Sequence, residues 1–198
     1  MTEWTPPHVI HPFPNPWPFN GDFPFKEKLR GLVKEHDLKW VIETGTSCGN
    51  STKALSELFD KVYTIEVNKD QYDVTLPMLK SLGNVTAYHG HSGKILGSII
   101  KNLDLKGNGA FYLDAHWYDS WPLLDELNAI AESDVKGRCM IMIDDFDIPG
   151  VVEGDKYKDQ VLNLAYVKED LMKTGATNYE FHEPELPQFR GKLISKPW

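Results

Sequence analysis

The chain has little cysteine, no long apolar run and fewer basic than acidic residues. Two cysteines, Cys48 and Cys139, stand among 198 residues. They offer no disulfide framework and each reads as a small buried side chain, which suits a reducing, cytoplasmic setting. No segment approaches the length that spans a bilayer, so no membrane association is expected. The start Met1-Thr2-Glu3-Trp4 lacks the basic and apolar regions of a secretory signal. Lys and Arg number 21 against 29 Asp and Glu, a formal charge of −8, and the basic residues are scattered. A nucleic-acid partner is therefore not expected, because phosphate backbones need a concentrated positive surface. No internal repeat and no long linker is visible.

What is present is enough apolar material, 41% of residues, for one substantial core. Residues 1–25 differ from the rest, running from Trp4-Thr5-Pro6-Pro7 through Pro12-Phe13-Pro14-Asn15-Pro16-Trp17-Pro18-Phe19 to Phe23-Pro24-Phe25. Prolines exclude a helix and aromatics favour docking, so this extension reads as an extended strap, a lid near a substrate mouth or the arm of a homodimer. Residues 26–198 read as the globular domain. There, short apolar runs alternate with amphipathic stretches. The pattern predicts strands over 40–43, 62–66, 85–89, 110–114 and 139–143. Helices are predicted over about 26–36, 51–59, 70–82, 122–133 and 159–173, and an antiparallel pair over 179–182 and 192–195. The fold class is α/β: a single Rossmann-like domain, with a mostly parallel seven-stranded sheet, helices on both faces and a terminal antiparallel strand.

Trp40-Val41-Ile42-Glu43-Thr44-Gly45-Thr46-Ser47-Cys48-Gly49-Asn50-Ser51-Thr52 reads as a buried strand, a glycine-bearing turn and a helix start. Bare backbone at Gly45 and Gly49 would let a cofactor approach main-chain N–H groups, with Ser51 or Thr52 capping the helix. Glu66 ends the next apolar run 21 residues after Gly45, where an acid that binds a ribose diol belongs. Ser47 replaces the middle glycine of the dinucleotide pattern, and Glu43 precedes the first. A carboxylate there repels a pyrophosphate and attracts an ammonium, which favours S-adenosylmethionine over NAD. Gly90-His91-Ser92-Gly93 follows the third strand, where an adenine would lie. His91 would stack on the base and Ser92 would hydrogen-bond it, a role compatible with a plain helix cap.

Ligands of an open parallel sheet bind beyond the carboxyl ends of its strands. Asp114 follows strand four, and Asp144 and Asp145 follow strand five. Three converging carboxylates repel one another unless a cation lies between them, so they are candidate ligands for Mg²⁺ or another divalent ion. His116 is a candidate general base, although a loop histidine is as readily a hydrogen-bonded or exposed side chain. Trp117, Tyr118 and Trp121 either wall an acceptor or pack on the following helix.

Together these residues resemble class I S-adenosylmethionine-dependent methyltransferases, in particular the Mg²⁺-dependent O-methyltransferases of the catechol and the macrocin or aminocoumarin sugar types. The resemblance spans about residues 30–196. It implies that Glu43, Gly45, Thr46, Ser47, Gly49 and Ser51 hold the methionine end of the cofactor, Glu66 the ribose, and His91 and Ser92 the adenine. Asp114 would serve the cofactor, the metal and catalysis, with Asp144 and Asp145 completing the metal site and His116 as base. The sequence departs from the sugar enzymes in carrying His116 where they have a second aspartate, and the lysine base of the catechol enzymes has no clear match. The expected activity is methyl transfer to a hydroxyl of a small acceptor. Two alternatives stay open: a cofactor-binding module without chemistry, and a metal-assisted hydroxylase related to the cephalosporin-biosynthesis type.

Overall fold

In Leu38–Thr44 every residue but Lys39 is buried. A strand buried on both faces belongs inside a parallel sheet, and this one, β1, is the third of seven strands. It pairs in parallel with β2 (Lys61–Glu66) on one side and with β4 (Asn108–Leu113) on the other. The computed structural model describes residues 17–115, 121–186 and 190–198. Beyond β2 lies β3 (Val85–His89), and beyond β4 lies β5 (Cys139–Phe146). The chain then adds β8 (Asn178–His182) and β9 (Gly191–Lys196), giving the order β3-β2-β1-β4-β5-β9-β8. Only β9 runs against its neighbours. The predicted seven-stranded, mostly parallel sheet is thus the observed one.

Helices cover both faces. On one, α1 (Phe23–Glu35) and α2 (Asn50–Ser56) set Phe25, Leu29, Leu32, Ala54 and Leu55 against Val41, Val62, Ala110, Met140 and Met142. On the other, α4 (Ser92–Asn102), α5 (Leu123–Ala131) and α6 (Leu164–Lys173) pack on Ile42, Phe111, Leu113, Ile141 and Ile143. The helix α3 (Lys69–Ser81) starts where the Asn68 carboxamide oxygen accepts from the N–H groups of Asp70 at 3.0 Å and Gln71 at 3.2 Å. Among the described residues no helix is long and apolar enough to cross a membrane.

Four differences from the predicted elements have local causes. The α4 helix has no counterpart among them. The last helix starts at Leu164 rather than near 159, because Gln160–Val161 pairs with Lys156–Tyr157 in a short hairpin (β7 with β6) and Asn163 caps the Tyr166 N–H at 3.1 Å. The first helix begins earlier than 26, at Phe23, because the Asp22 carboxylate accepts from the Phe25 N–H at 3.0 Å. Finally, β5 continues past Ile143 to Phe146 through an irregularity in its pairing with β9, with Asp145 at φ 52°. Asp144 and Asp145 therefore lie within the strand, not beyond its end.

Of the predicted N-terminal extension, residues 1–16 lie outside the described residues. Residues 17–25 are part of the domain: Phe19, in a 3-10 turn at Pro18–Gly21, is buried with its ring 5.4 Å from Tyr112 and 5.1 Å from Phe25.

Candidate functional site

The strand order reverses between β1 and β4, which makes their carboxyl ends the topological switch point where ligands of such sheets bind. Glu43 and Gly45 stand at the end of β1, Glu66 ends β2, and Asp114 follows β4. Gly45 takes φ +86°, and a Cβ added to it would lie 2.4 Å from the Asp114 carbonyl oxygen. The glycine is required by this close approach of two protein segments. Gly45→Ala is expected to destabilise the fold by about 2 kcal/mol or more, through strain and collision, with denaturant unfolding as the check. Gly49, at φ +75°, makes room in the same way for Met78 and Leu79 of α3.

The turn's N–H groups do not face outward as the sequence suggests. Gly45 and Thr46 donate to the Ile65 carbonyl at 2.9 and 3.3 Å, and Gly49 donates to the Thr46 carbonyl at 2.9 Å. Ser47, at φ 48°, donates to Glu66 Oε2 at 2.8 Å, while Asn68 N–H donates to Glu66 Oε1 at 2.8 Å. Thr46 Oγ1 lies 2.6 Å from Thr64 Oγ1. The N–H groups of Gly45, Thr46, Ser47 and Gly49 are thus taken within the protein. Ser51 and Thr52 do not cap α2 either, since Gly49 holds that position without a side-chain hydrogen bond. The Ser51 hydroxyl accepts from the Phe19 N–H at 2.9 Å, and Thr52 donates to Glu43 Oε2.

Glu43 is left with an unused acceptor. It is 1% exposed, and Thr64 Oγ1 donates to its Oε2 at 2.7 Å, but its buried Oε1 has no hydrogen-bond partner. Burial, opposed by the two threonine hydroxyls, pushes its carboxyl up to about 7. Glu66 is likewise raised by burial against the N–H groups it accepts. At the next strand end, Gly90 N–H donates to the Glu66 carbonyl at 2.8 Å, and His91 and Ser92 open α4. Burial lowers the His91 imidazole. These groups stand at the ends of β1, β2 and β3.

Leu113 pairs with Ile143, which sets Asp114 and Asp144 on neighbouring strands. Burial and the charges of Asp144, Asp145 and Glu43 hold the Asp114 carboxyl well above the usual carboxylate range. Asp144, however, points to the α1 side of the sheet. Its Oδ1 lies 2.9 Å from Lys192 Nζ and accepts from the Asp145 N–H at 2.8 Å, and its Oδ2 accepts from the Tyr112 hydroxyl. Among the described residues no three His, Cys, Asp or Glu side chains are grouped to hold a metal ion. The candidate metal ligands Asp114, Asp144 and Asp145 stand close enough for their charges to act on one another, and Asp144 is already held by a protein cation and a phenol.

Sequence reasoning missed Lys192, Tyr112, Asp22 and His182. Lys192 also lies 3.3 Å from Asp22 Oδ2, and His182 Nε2 lies 2.9 Å from the same oxygen. Burial works against the Lys192 charge, but Asp144 and Asp22 hold its ammonium above the ordinary range. The one signal was a lysine at the head of the apolar run Leu193-Ile194. His116, Trp117 and Tyr118 lie outside the described residues, while Trp121 packs its ring 5.6 Å from Tyr166 of α6.

No protein-family model and no curated protein matches the sequence. Solved structures do match. The O-methyltransferase TomG from Streptomyces achromogenes, involved in tomaymycin synthesis and complexed with S-adenosylmethionine, superposes with a TM-score of 0.62 at 17% identity over 87% of this chain and 79% of its own. CalS10, an amino pentose methyltransferase from Micromonospora echinaspora with S-adenosylmethionine bound, gives 0.60 at 11% identity over 88% and 91%. An rRNA methylase from Streptococcus thermophilus gives 0.52 at 18% over 85% and 92%. The chain therefore has the class I S-adenosylmethionine-dependent methyltransferase fold. The acceptors named for these neighbours differ, so the fold does not select one.

Proposed function

We propose that this chain is an S-adenosylmethionine-dependent O-methyltransferase acting on a hydroxyl of a small molecule. The observation that carries the reading is Glu43: a buried carboxyl with one unpartnered oxygen at the switch point of a methyltransferase fold. An unpaired buried acceptor calls for a donor, and a raised carboxyl calls for a cation; the cofactor's ammonium is both. Gly45, Thr46, Ser47 and Gly49 shape the turn around it, and Ser51 fixes the N-terminal segment beside it. Glu66 would share its remaining acceptor capacity with a ribose diol beyond the backbone N–H groups of Ser47, Val67 and Asn68, and His91 and Ser92 flank the adenine. When bound, the cofactor supplies an electrophilic methyl group. Asp114, at the mouth between the two sides, faces the acceptor, and His116 is assigned the acceptor proton.

The net charge of −8, with Lys and Arg scattered along the sequence, argues for a small acceptor over rRNA, because phosphate backbones need concentrated positive charge. The N-terminal extension of residues 1–25 is assigned the part of strap, lid or homodimer arm, and a reducing, cytoplasmic setting fits the two unpaired cysteines.

Calorimetric titration of the full chain with S-adenosylmethionine tests the reading; saturable binding is expected, and none would overturn it. Glu66→Ala is expected to weaken that binding about tenfold to a hundredfold, the scale of a lost hydrogen bond to a charged group. Affinity should also fall about tenfold for each pH unit below 7, because the ammonium needs Glu43 ionised and protons compete for it.

A further inference from the structure

Five buried side chains from separate segments form one line beneath the acidic rim: Tyr112 on β4, Asp144 on β5, Lys192 on β9, Asp22 at the head of α1 and His182 at the end of β8. Lys192 is 1% exposed and Asp144 fully buried. Well-packed apolar side chains usually serve stability as well as such a group does, so its presence needs a reason beyond packing. The rim supplies one. Asp114, Glu43 and, within β5, Asp144 and Asp145 bring acidic charges to bear on one another, and Lys192 is a cation set among them.

A divalent ion needs open carboxylate oxygens, and Mg²⁺ accepts them only near octahedral geometry. Both oxygens of Asp144 already accept, one from Lys192 Nζ and the Asp145 N–H, the other from Tyr112. We infer that Lys192 is the built-in counter-ion of this rim, a positioning residue that takes the place beside Asp144 which a divalent cation would need, so that Asp114, Asp144 and Asp145 form no Mg²⁺ or Mn²⁺ site while Lys192 is present. Its link to methyl transfer rests on the function proposed above, but its ion chemistry can be tested alone.

The experiment is titration of EDTA-treated full-length protein with Mn²⁺, followed by the loss of the free-ion electron paramagnetic resonance signal. Wild type is expected to show no saturable binding up to about 1 mM, and a site tighter than about 0.1 mM would overturn the inference. Lys192→Gln, which leaves Asp144 uncompensated, is expected to gain one saturable Mn²⁺ site, whereas Lys192→Arg, which keeps the cation, should gain none. A folded Lys192→Gln protein that binds no Mn²⁺ would also overturn it. If that variant does not fold, wild type still decides through a second measurement: its S-adenosylmethionine affinity should change less than about twofold between EDTA and 1 mM Mg²⁺, and a tenfold gain with Mg²⁺ would count against the inference. Absence of cofactor binding in both conditions would instead remove the proposed function and leave the Mn²⁺ result standing.

Discussion

Glu43→Gln is expected to abolish S-adenosylmethionine binding and, above pH 7, to make the ligand-free protein more stable than wild type. The two effects have one origin. In the ligand-free protein the Glu43 carboxyl is buried, its Oε1 has no partner, and its pKa stands near 7 against 4.5 when exposed. The folded state thus holds the Glu43 proton more tightly than the unfolded chain does. That contribution is fully present below about pH 4.5 and is lost as pH rises to about 7. Above pH 7 ionised Glu43 lowers stability by about 3 kcal/mol. Glutamine has the same shape and no charge to desolvate, and the Thr52 and Thr64 hydroxyls can pair with its amide. Urea unfolding at pH 8 should show a gain approaching that amount, and at pH 4.5 almost none. Binding should respond in the opposite sense, since loss of the charge that meets the cofactor's ammonium is worth about a hundredfold or more in affinity. Equal stability at both pH values would show that Glu43 is not the strained group of this site.

The same residues show which parts of the site can be read from sequence. Central strands of a parallel sheet are buried on both faces, so β1, β2, β4 and β5 stand out as apolar runs, and an acid at the end of a run marks the rim. Glu43, Glu66 and Asp114 were legible on that basis. The partner of an acid was not. Lys192 is 48 residues from Asp144 in the chain and reaches it only because β9 runs antiparallel beside β5. Ser51 looks like a helix cap, but its hydroxyl is taken by a backbone group 32 residues earlier. The α4 helix escaped notice because Gly93 and Gly97 lower helix propensity, yet a Cβ at Gly93 would come within 3.0 Å of Asp125 and within 3.1 Å of Pro122. Periodicity reports burial; it does not report which distant group arrives to be buried alongside.

Lys192→Met should lower stability by about 3–5 kcal/mol, the range for removing one partner of a buried ion pair. The loss is large because one ammonium serves two carboxylates, Asp144 at 2.9 Å and Asp22 at 3.3 Å, and both stay buried when it goes. The deficit should be smaller at pH 5 than at pH 8, because an unpaired buried carboxyl recovers stability by taking up a proton as pH falls. Adding Asp22→Asn and Asp144→Asn should return most of the loss, since asparagine caps a helix about as well as aspartate and neither amide leaves a charge behind. A divalent ion gives a second route to the same recovery. If Lys192 stands where such an ion would bind, Mn²⁺ at a hundred times its dissociation constant should restore about 2.7 kcal/mol to Lys192→Met and nothing to the triple variant, which lacks the Asp144 carboxylate. Equal response of the two variants to Mn²⁺ would mean that the ion acts elsewhere on the surface and that Lys192 serves packing alone.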